Sequence, residues 1–258
     1  MPRPVPLPDA LLHLPIAHRA LHDRSAGRPE NSPAAIRAAV EAGYAIEIDV
    51  QGTRDGQAVV FHDEWMERLT AATGFVKNYT AAELGQIPLR DSRETIPSLR
   101  QVLDMVAGRA PLLIEIKDQT DRMAETDGQL ESAVAQALAG YTGPVAVMSF
   151  NPHAVANMAR LAPQIARGIT TAAYDYEGWA PLSPDRCNAL REIADYDRVA
   201  ASFISHEAAD LSRPRVAALK SQGAAILTWT IKSPEEEAQA RKVAQNITFE
   251  GYLAIRPT

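Results

Sequence analysis

Two carboxylates one residue apart, followed shortly by a histidine, can hold a hard cation and move protons. Glu47 and Asp49 fit that description in AIEIDVQGTRDGQAVVFHD, residues 45–63. Ile46, Ile48 and Val50 alternate with them, so a strand here sends both carboxylates to one face with Cα atoms about 7 Å apart. From there both can reach one cation at roughly 2.1 to 2.5 Å per oxygen, which suits a hard divalent ion. The turn Arg54-Asp55-Gly56 reverses the chain, and Ala58-Val59-Val60-Phe61 brings His62 back toward the pair. Taken alone, the pattern more often describes an ordinary half-buried strand with solvated carboxylates, so other segments must decide.

Two of them contribute. Residues 14–18 read as a first strand ending in His18-Arg19, and residues 111–117 as a strand whose alternation puts Leu113, Glu115 and Lys117 on one face. Positioning these groups together needs a parallel scaffold, and the rest of the chain has its rhythm. Ser32 caps a helix with Pro33 in its first turn, and Gly43 ends it. Residues 64–95 form an insertion after the second strand, a lid or side lobe in which Thr80-Ala81-Ala82-Glu83 is a capping box. Leu99, Val102, Leu103 and Val106 make the buried stripe of a helix over 97–107. Helices follow at 127–138, 152–161, 184–194, 214–222 and 234–244. The strands between and after them fall at 144–150, 165–171, 199–205, 224–231 and 251–255. Eight strands alternating with helices predict an α/β fold, a single (β/α)8 TIM barrel over residues 1–258. No helix follows the last strand, so residues 9–13 are expected to cover that side.

Composition agrees with one large enzyme-sized domain. The chain has 258 residues, 46% hydrophobic and 22% charged, and a barrel of this kind needs about 250. A net charge of −6 without a Lys/Arg cluster argues against nucleic acid or an anionic membrane as the main partner and for a small ligand. The single Cys187 has no disulfide or nucleophile partner. Prolines and Asp9 interrupt the apolar N-terminal residues, which predicts neither a secretion signal nor a membrane segment and a cytoplasmic location.

In such a barrel the active site lies at the C-terminal ends of the strands, where His18, Arg19, Glu47, Asp49, Glu115 and Lys117 converge. Three carboxylates in one mouth repel by several kcal/mol unless a cation or protons neutralise them. These residues resemble the glycerophosphodiester phosphodiesterase family. The matching pieces are Ala17-His18-Arg19, Pro29-Glu30-Asn31-Ser32, Glu47-Ile48-Asp49-Val50, Asp55-Gly56 with Val59-Val60-Phe61-His62-Asp63, and Glu115-Ile116-Lys117. Arg68-Leu69-Thr70, Gly74, Thr80 to Leu84 and Ile96-Pro97-Ser98-Leu99 continue the likeness, with Ser149-Phe150 and Trp229-Thr230 as weaker late matches.

The resemblance implies metal-dependent hydrolysis of glycerophosphodiesters to glycerol 3-phosphate and an alcohol. Glu47, Asp49 and Glu115 would hold one divalent cation, Mg2+ or Ca2+. His18 and His62 would be the acid/base pair, and Arg19 and Lys117 would contact the phosphate. Phe150 and Trp229 end strands and could form an apolar wall for the substrate. The chain departs from the family pattern at Ala20, where a glycine is usual, and at Lys232, where an asparagine is usual. It also lacks the last-strand aspartate in Ala254-Ile255-Arg256-Pro257. These departures bear on substrate choice, because Lys232 and Arg256 would add positive charge near the mouth. Glu30, Asp63 and His206 are each open between a site role and a structural one, and His13, His22 and His153 have no identifiable partner. Two other functions fit the same barrel, a metal-dependent lyase or aldolase and an inactive phosphoester-binding protein. The histidine pair separates them, since expelling an alkoxide from a phosphodiester needs an acid opposite a base.

Overall fold

The computed structural model describes residues 4–257. Its strands are β1 (Ile16–Ala17), β2 (Ala45–Gly52), β3 (Ala58–Val60), β4 (Leu112–Ile116), β5 (Val145–Ser149), β6 (Ala166–Thr171), β7 (Phe203–Glu207), β8 (Ala225–Ile231) and β9 (Asn246–Phe249). Eight of them run parallel in the order β1-β2-β4-β5-β6-β7-β8-β9, and β1 pairs with both β2 and β9, which closes the barrel. The ninth, β3, returns antiparallel along β2 through the Arg54-Asp55-Gly56 turn. The helices are α1 (Asp9–His13), α2 (Pro33–Ala42), α3 (Ala81–Leu84), α4 (Leu99–Val106), α5 (Gln129–Leu138), α6 (Pro152–Leu161), α7 (Pro184–Arg191), α8 (Pro214–Ser221) and α9 (Pro234–Ala240).

Local chemistry explains where these elements start. Ser32, Ser98, Ser183 and Ser233 each accept a backbone N–H at the third helical position of α2, α4, α7 and α9. The barrel strands are buried on both faces, as a parallel sheet under helices must be. Outward residues such as Ile46, Ile48, Ile114 and Val147 pack against Ile36, Val102, Leu103, Val134 and Val155 of the helix layer. Inward residues of the lower half are apolar: Ile16, Ala45, Leu113, Ala146, Met148, Ala166, Phe203 and Leu227. Phe203 fills so much of this space that β6 faces it with Gly168, where an added Cβ would lie 2.4 Å from the ring. The upper half carries Glu47, Asp49 and Glu115 instead.

The structure corrects the sequence expectations in four places. The last strand is Asn246–Phe249, not residues 251–255, and Gly251, at φ +79°, turns the chain away. The strand expected at 199–205 runs over Phe203–Glu207. Leu7 and Leu11 of the N-terminal segment pack with the lower barrel interior, and Asn246 Nδ2 donates to the Leu11 and Leu14 carbonyls at 2.8 and 2.7 Å. So α1 plugs the bottom, and the open flank is covered instead by the tail, where Tyr44 Oη donates to the Ala254 carbonyl and Tyr252 Oη to Glu237. Finally, Arg256 stacks over the Tyr44 ring ahead of β2 and stays away from the mouth. In residues 64–95, Met66, Leu69, Val76, Leu84 and Leu89 form a small core with Val59, Phe61 and Ile96.

Candidate active site

At the C-terminal ends of the strands a cavity of about 90 Å³ is lined by His18, Arg19, Glu47, Asp49, His62, Glu115, Lys117, Phe150, Thr170, Trp229 and Thr248, among others. The nine residues assigned a site role from the sequence, His18, Arg19, Glu47, Asp49, His62, Glu115, Lys117, Phe150 and Trp229, all line it. The register places Asp49 beside Glu115 on β2 and β4. One ligand oxygen from each of Glu47, Asp49 and Glu115 lies within 4.8 Å of the other two, and all three residues are buried.

The charges around this triad are unequal. Lys117 Nζ sits 2.7 Å from Asp49 Oδ1 and 2.5 Å from Glu115 Oε1. Arg19 Nε lies 3.7 Å from Asp49 Oδ2, buried and without a hydrogen-bond acceptor. Burial alone would push the Asp49 carboxyl up, but Lys117, His62 and Arg19 hold it well below its ordinary range. Burial, then Asp49 and Glu115, raise Glu47 well above its own. Burial would lower the Lys117 ammonium, yet Asp49 and Glu115 keep it above its ordinary value. Three carboxylates facing one ammonium and one guanidinium leave a deficit of positive charge, and the protonation-prone Glu47 marks where it falls. Three buried, convergent, all-oxygen donors fit a hard divalent cation.

Glu47 also builds the turn that presents the first histidine. Its carboxylate accepts the Arg19 backbone N–H at 2.7 Å and its carbonyl the Ala20 N–H at 2.9 Å. That turn is left-handed at Arg19 (φ +51°), Ala20 (φ +65°) and Asn31 (φ +58°). Such conformations cost of order 1 kcal/mol each without glycine and persist where hydrogen bonds over-determine them. This explains why a glycine suits position 20, and what holds Ala20 in its place.

The histidines are held alike. His18 Nδ1 is 2.6 Å from Glu250 Oε2, and His62 Nδ1 is 2.7 Å from Asp63 Oδ1. A carboxylate only accepts, so in each ring Nδ1–H donates and Nε2 is left for a ligand. Burial lowers His18 from its ordinary value, and the Glu250 hydrogen bond partly offsets this. The bond from His18 in turn holds Glu250 far below the usual carboxylate range.

Glu30 and Asp63, both open from the sequence, are joined by Arg68. Its guanidinium donates to Glu30 Oε1 and Oε2 at 2.7 and 2.8 Å and to Asp63 Oδ2 and Oδ1 at 2.5 and 2.9 Å. Glu30 also accepts from Arg19 Nη1 at 2.8 Å. A single chain of ion pairs therefore links Arg19 to His62. Phe150 and Trp229 meet edge-on at 5.4 Å between centroids, forming one wall. His206 faces outward, bound to Thr171 Oγ1 and Asp210, and takes no part in the cavity. Lys232 Nζ approaches Glu250 Oε1 at 3.1 Å.

Sequence reading missed Glu250, Thr170 and Thr248, and quoted Asn31 within a matching piece without giving it a role. Asn31 Nδ2 donates to Asp49 Oδ2 at 2.8 Å and its Oδ1 accepts the Asp49 N–H, which fixes that carboxylate's rotamer. The Thr170 and Thr248 hydroxyls are buried without a hydrogen-bond partner and border the cavity. Ile247-Thr248-Phe249 before Glu250 was the available strand signal, overshadowed by the apolar residues that follow Gly251.

Known proteins similar to this chain share its fold and family. The Bacillus subtilis protein YhdW is 30% identical over 233 residues, covering 87% of this chain and 88% of its own. A glycerophosphodiester phosphodiesterase of Caldanaerobacter subterraneus is 32% identical over 174 residues, 64% of this chain and 70% of its own. Among solved structures, an Oleispira antarctica phosphodiesterase in complex with the product sn-glycerol-3-phosphate superposes with a TM-score of 0.73 at 24% identity, covering 92% and 93% of the two chains. The sequence profile of the glycerophosphoryl diester phosphodiesterase family matches residues 18–246, and with the barrel and its mouth in place the chain belongs to that family.

Proposed function

We propose that the protein hydrolyses small glycerophosphodiesters to glycerol 3-phosphate and an alcohol, as one catalytic barrel with residues 64–95 as its side lobe. The observation that carries this reading is the pair of histidines from separate strands, each with Nδ1 held by a carboxylate and both bordering the cavity that contains Glu47, Asp49 and Glu115. Glu47, Asp49 and Glu115 would hold one divalent cation, Mg2+ or Ca2+. When bound, that ion supplies positive charge for the phosphate and a lowered pKa for an attacking hydroxyl. Arg19 and Lys117, both in the mouth, bind the phosphate oxygens. Phe150 and Trp229 form the apolar wall along the glycerol or the alcohol.

One histidine takes the proton of the attacking hydroxyl at Nε2 while the other gives its Nε2 proton to the departing alkoxide. Glu250 and Asp63 hold the rings in the tautomer that permits this and stabilise each ring when it is charged. Among the described residues no serine or cysteine lines the cavity beside a base, so the nucleophile comes from the substrate or from water. A glycerophosphodiester brings its own 2-hydroxyl next to phosphorus, and intramolecular attack gains a large effective molarity. The product of that attack is a cyclic phosphate, which water then opens.

The test is direct. Purified protein incubated with a panel of glycerophosphodiesters, with and without each metal, should release glycerol 3-phosphate only when metal is present. Matched 2-deoxy compounds followed by phosphorus NMR should not react. Equal turnover of the deoxy compounds would leave the hydrolase in place and replace the cyclic route by direct attack of water.

A further inference from the structure

Behind His18, on the side away from the three carboxylates, lies a second group of metal-ligating side chains. His18, His22 and Glu250 each offer one ligand atom within 4.8 Å of the other two. His18 Nδ1 is 2.6 Å and His22 Nε2 3.6 Å from the same oxygen, Glu250 Oε2. His22 Nε2 is buried and has no hydrogen-bond partner, so a lone pair or proton there lacks a mate although a carboxylate stands close by. The other Glu250 oxygen is engaged by Lys232 at 3.1 Å, which leaves Oε2 to the histidines. A groove of about 530 Å³ lined by His22, Asp23, Arg28, Glu250 and Tyr252 opens this group to solvent. Asp23 and Arg28 pair with each other across it at 3.4 Å.

From this arrangement we infer that His18, His22 and Glu250 form an inhibitory zinc site. Two imidazole nitrogens and one carboxylate oxygen are the donor set of a four-coordinate zinc ion whose last position is left to water, here supplied by the groove. The set differs in kind from Glu47, Asp49 and Glu115, which offer only hard oxygen donors, so the two sites prefer different ions. Binding requires His18 Nδ1 to coordinate. The proton it shows to Glu250 then moves to Nε2, because a neutral imidazole with its Nδ1 on a metal carries its hydrogen on the other nitrogen. That nitrogen borders the cavity. A permanently protonated, metal-bound His18 neither accepts a proton from the nucleophile nor gives one up easily to the alkoxide, and turnover stops. The effect on rate rests on the proposed role of His18; the uptake of zinc does not.

The experiment uses the intact protein with saturating Mg2+ and follows zinc in two ways. Equilibrium dialysis should show one zinc equivalent bound while magnesium is retained, and cobalt in place of zinc should give the intense visible absorption of a four-coordinate site. Activity should fall in step with that equivalent. His22→Ala and, as a milder change, His22→Asn should keep the magnesium-dependent rate within about two-fold, lose the zinc equivalent and become at least ten-fold less sensitive to zinc. The inference is overturned if the wild type takes up no zinc beyond exchange with magnesium, or if both His22 variants bind zinc and lose activity as the wild type does. Zinc uptake that depends on His22 but leaves the rate untouched would keep the site and overturn the acid/base role of His18 instead.

Discussion

Asp49 is held by three neighbours through four contacts: Lys117, Arg19 and Asn31 at its oxygens and Asn31 again at its backbone. The Glu47 carboxylate, by contrast, accepts its hydrogen bond from the Arg19 backbone N–H in the turn after His18. Removing either carboxylate therefore has different structural cost but the same consequence for a cation. Glu47→Gln, Asp49→Asn and Glu115→Gln are each expected to weaken divalent binding at least ten-fold by calorimetry and to abolish turnover, with the circular dichroism spectrum unchanged. Unchanged affinity in all three would remove the metal assignment. His18→Ala and His62→Ala should each lower kcat by about 10² to 10⁴-fold, the usual contribution of an acid or base, as read from initial rates at saturating metal. What was readable at this scale followed from period two: Glu47, Asp49, Glu115 and Lys117 are spaced so that one strand face collects them. Asn31 and Glu250 were not, because their partners Asp49 and His18 are 18 and 232 residues away, and no local pattern reports a hydrogen bond at that distance.

At the scale of elements, the alternation of strands and helices was plain because proline and serine punctuate nearly every helix start, and most helix and strand boundaries moved by two residues or fewer. The last strand was misplaced because it is four residues long and its neighbour after Gly251 is more apolar. The insertion was visible as an interruption, but not its purpose. Arg68 gives it one. By donating to both Glu30 and Asp63, it ties residues 64–95 to the two flanks of the mouth and fixes the carboxylate that orients His62. Asp63 shows the strength of this hold: burial would raise its carboxyl, but the bonds from His62 and Arg68 bring it well below the usual range. Hydrogen bonds to charged groups are worth about 1.5 to 3 kcal/mol, so Arg68→Ala should reduce kcat by roughly ten-fold or more with a small change in KM. Arg68→Lys should recover little, since an ammonium cannot reproduce a fork shared between two carboxylates. A loss confined to KM would show that Arg68 serves binding rather than the orientation of His62.

Across the whole molecule the barrel is graded from an apolar floor, where α1, Phe203 and Gly168 close the interior, to a charged mouth. Outside the mouth it also buries ionisable groups, among them His206, which is fully buried between β7 and the turn after it. Burial lowers it from 6.5, against the opposing influence of Asp210. The folded protein therefore resists a proton that the unfolded chain accepts at pH 6.5. By linkage, stability is complete above that value and falls as pH drops below it, toward the lowered folded-state pKa. The depressed carboxylates Asp49, Asp63 and Glu250 act in a separate window, below their ordinary values of 3.8 to 4.5. His18 and His153 are also lowered by burial, so the decline between pH 6.5 and 5 has several contributors. His206→Gln isolates one of them. Its amide can keep a donor toward Asp210 and an acceptor for Thr171 but cannot take up the proton. Urea midpoints measured from pH 7.5 to 5 should fall for the wild type and fall less steeply for His206→Gln, whatever the variant loses at pH 7.5. Parallel slopes would show that His206 keeps its proton affinity on folding, and that acid sensitivity in this range comes from the histidines nearer the surface and the mouth.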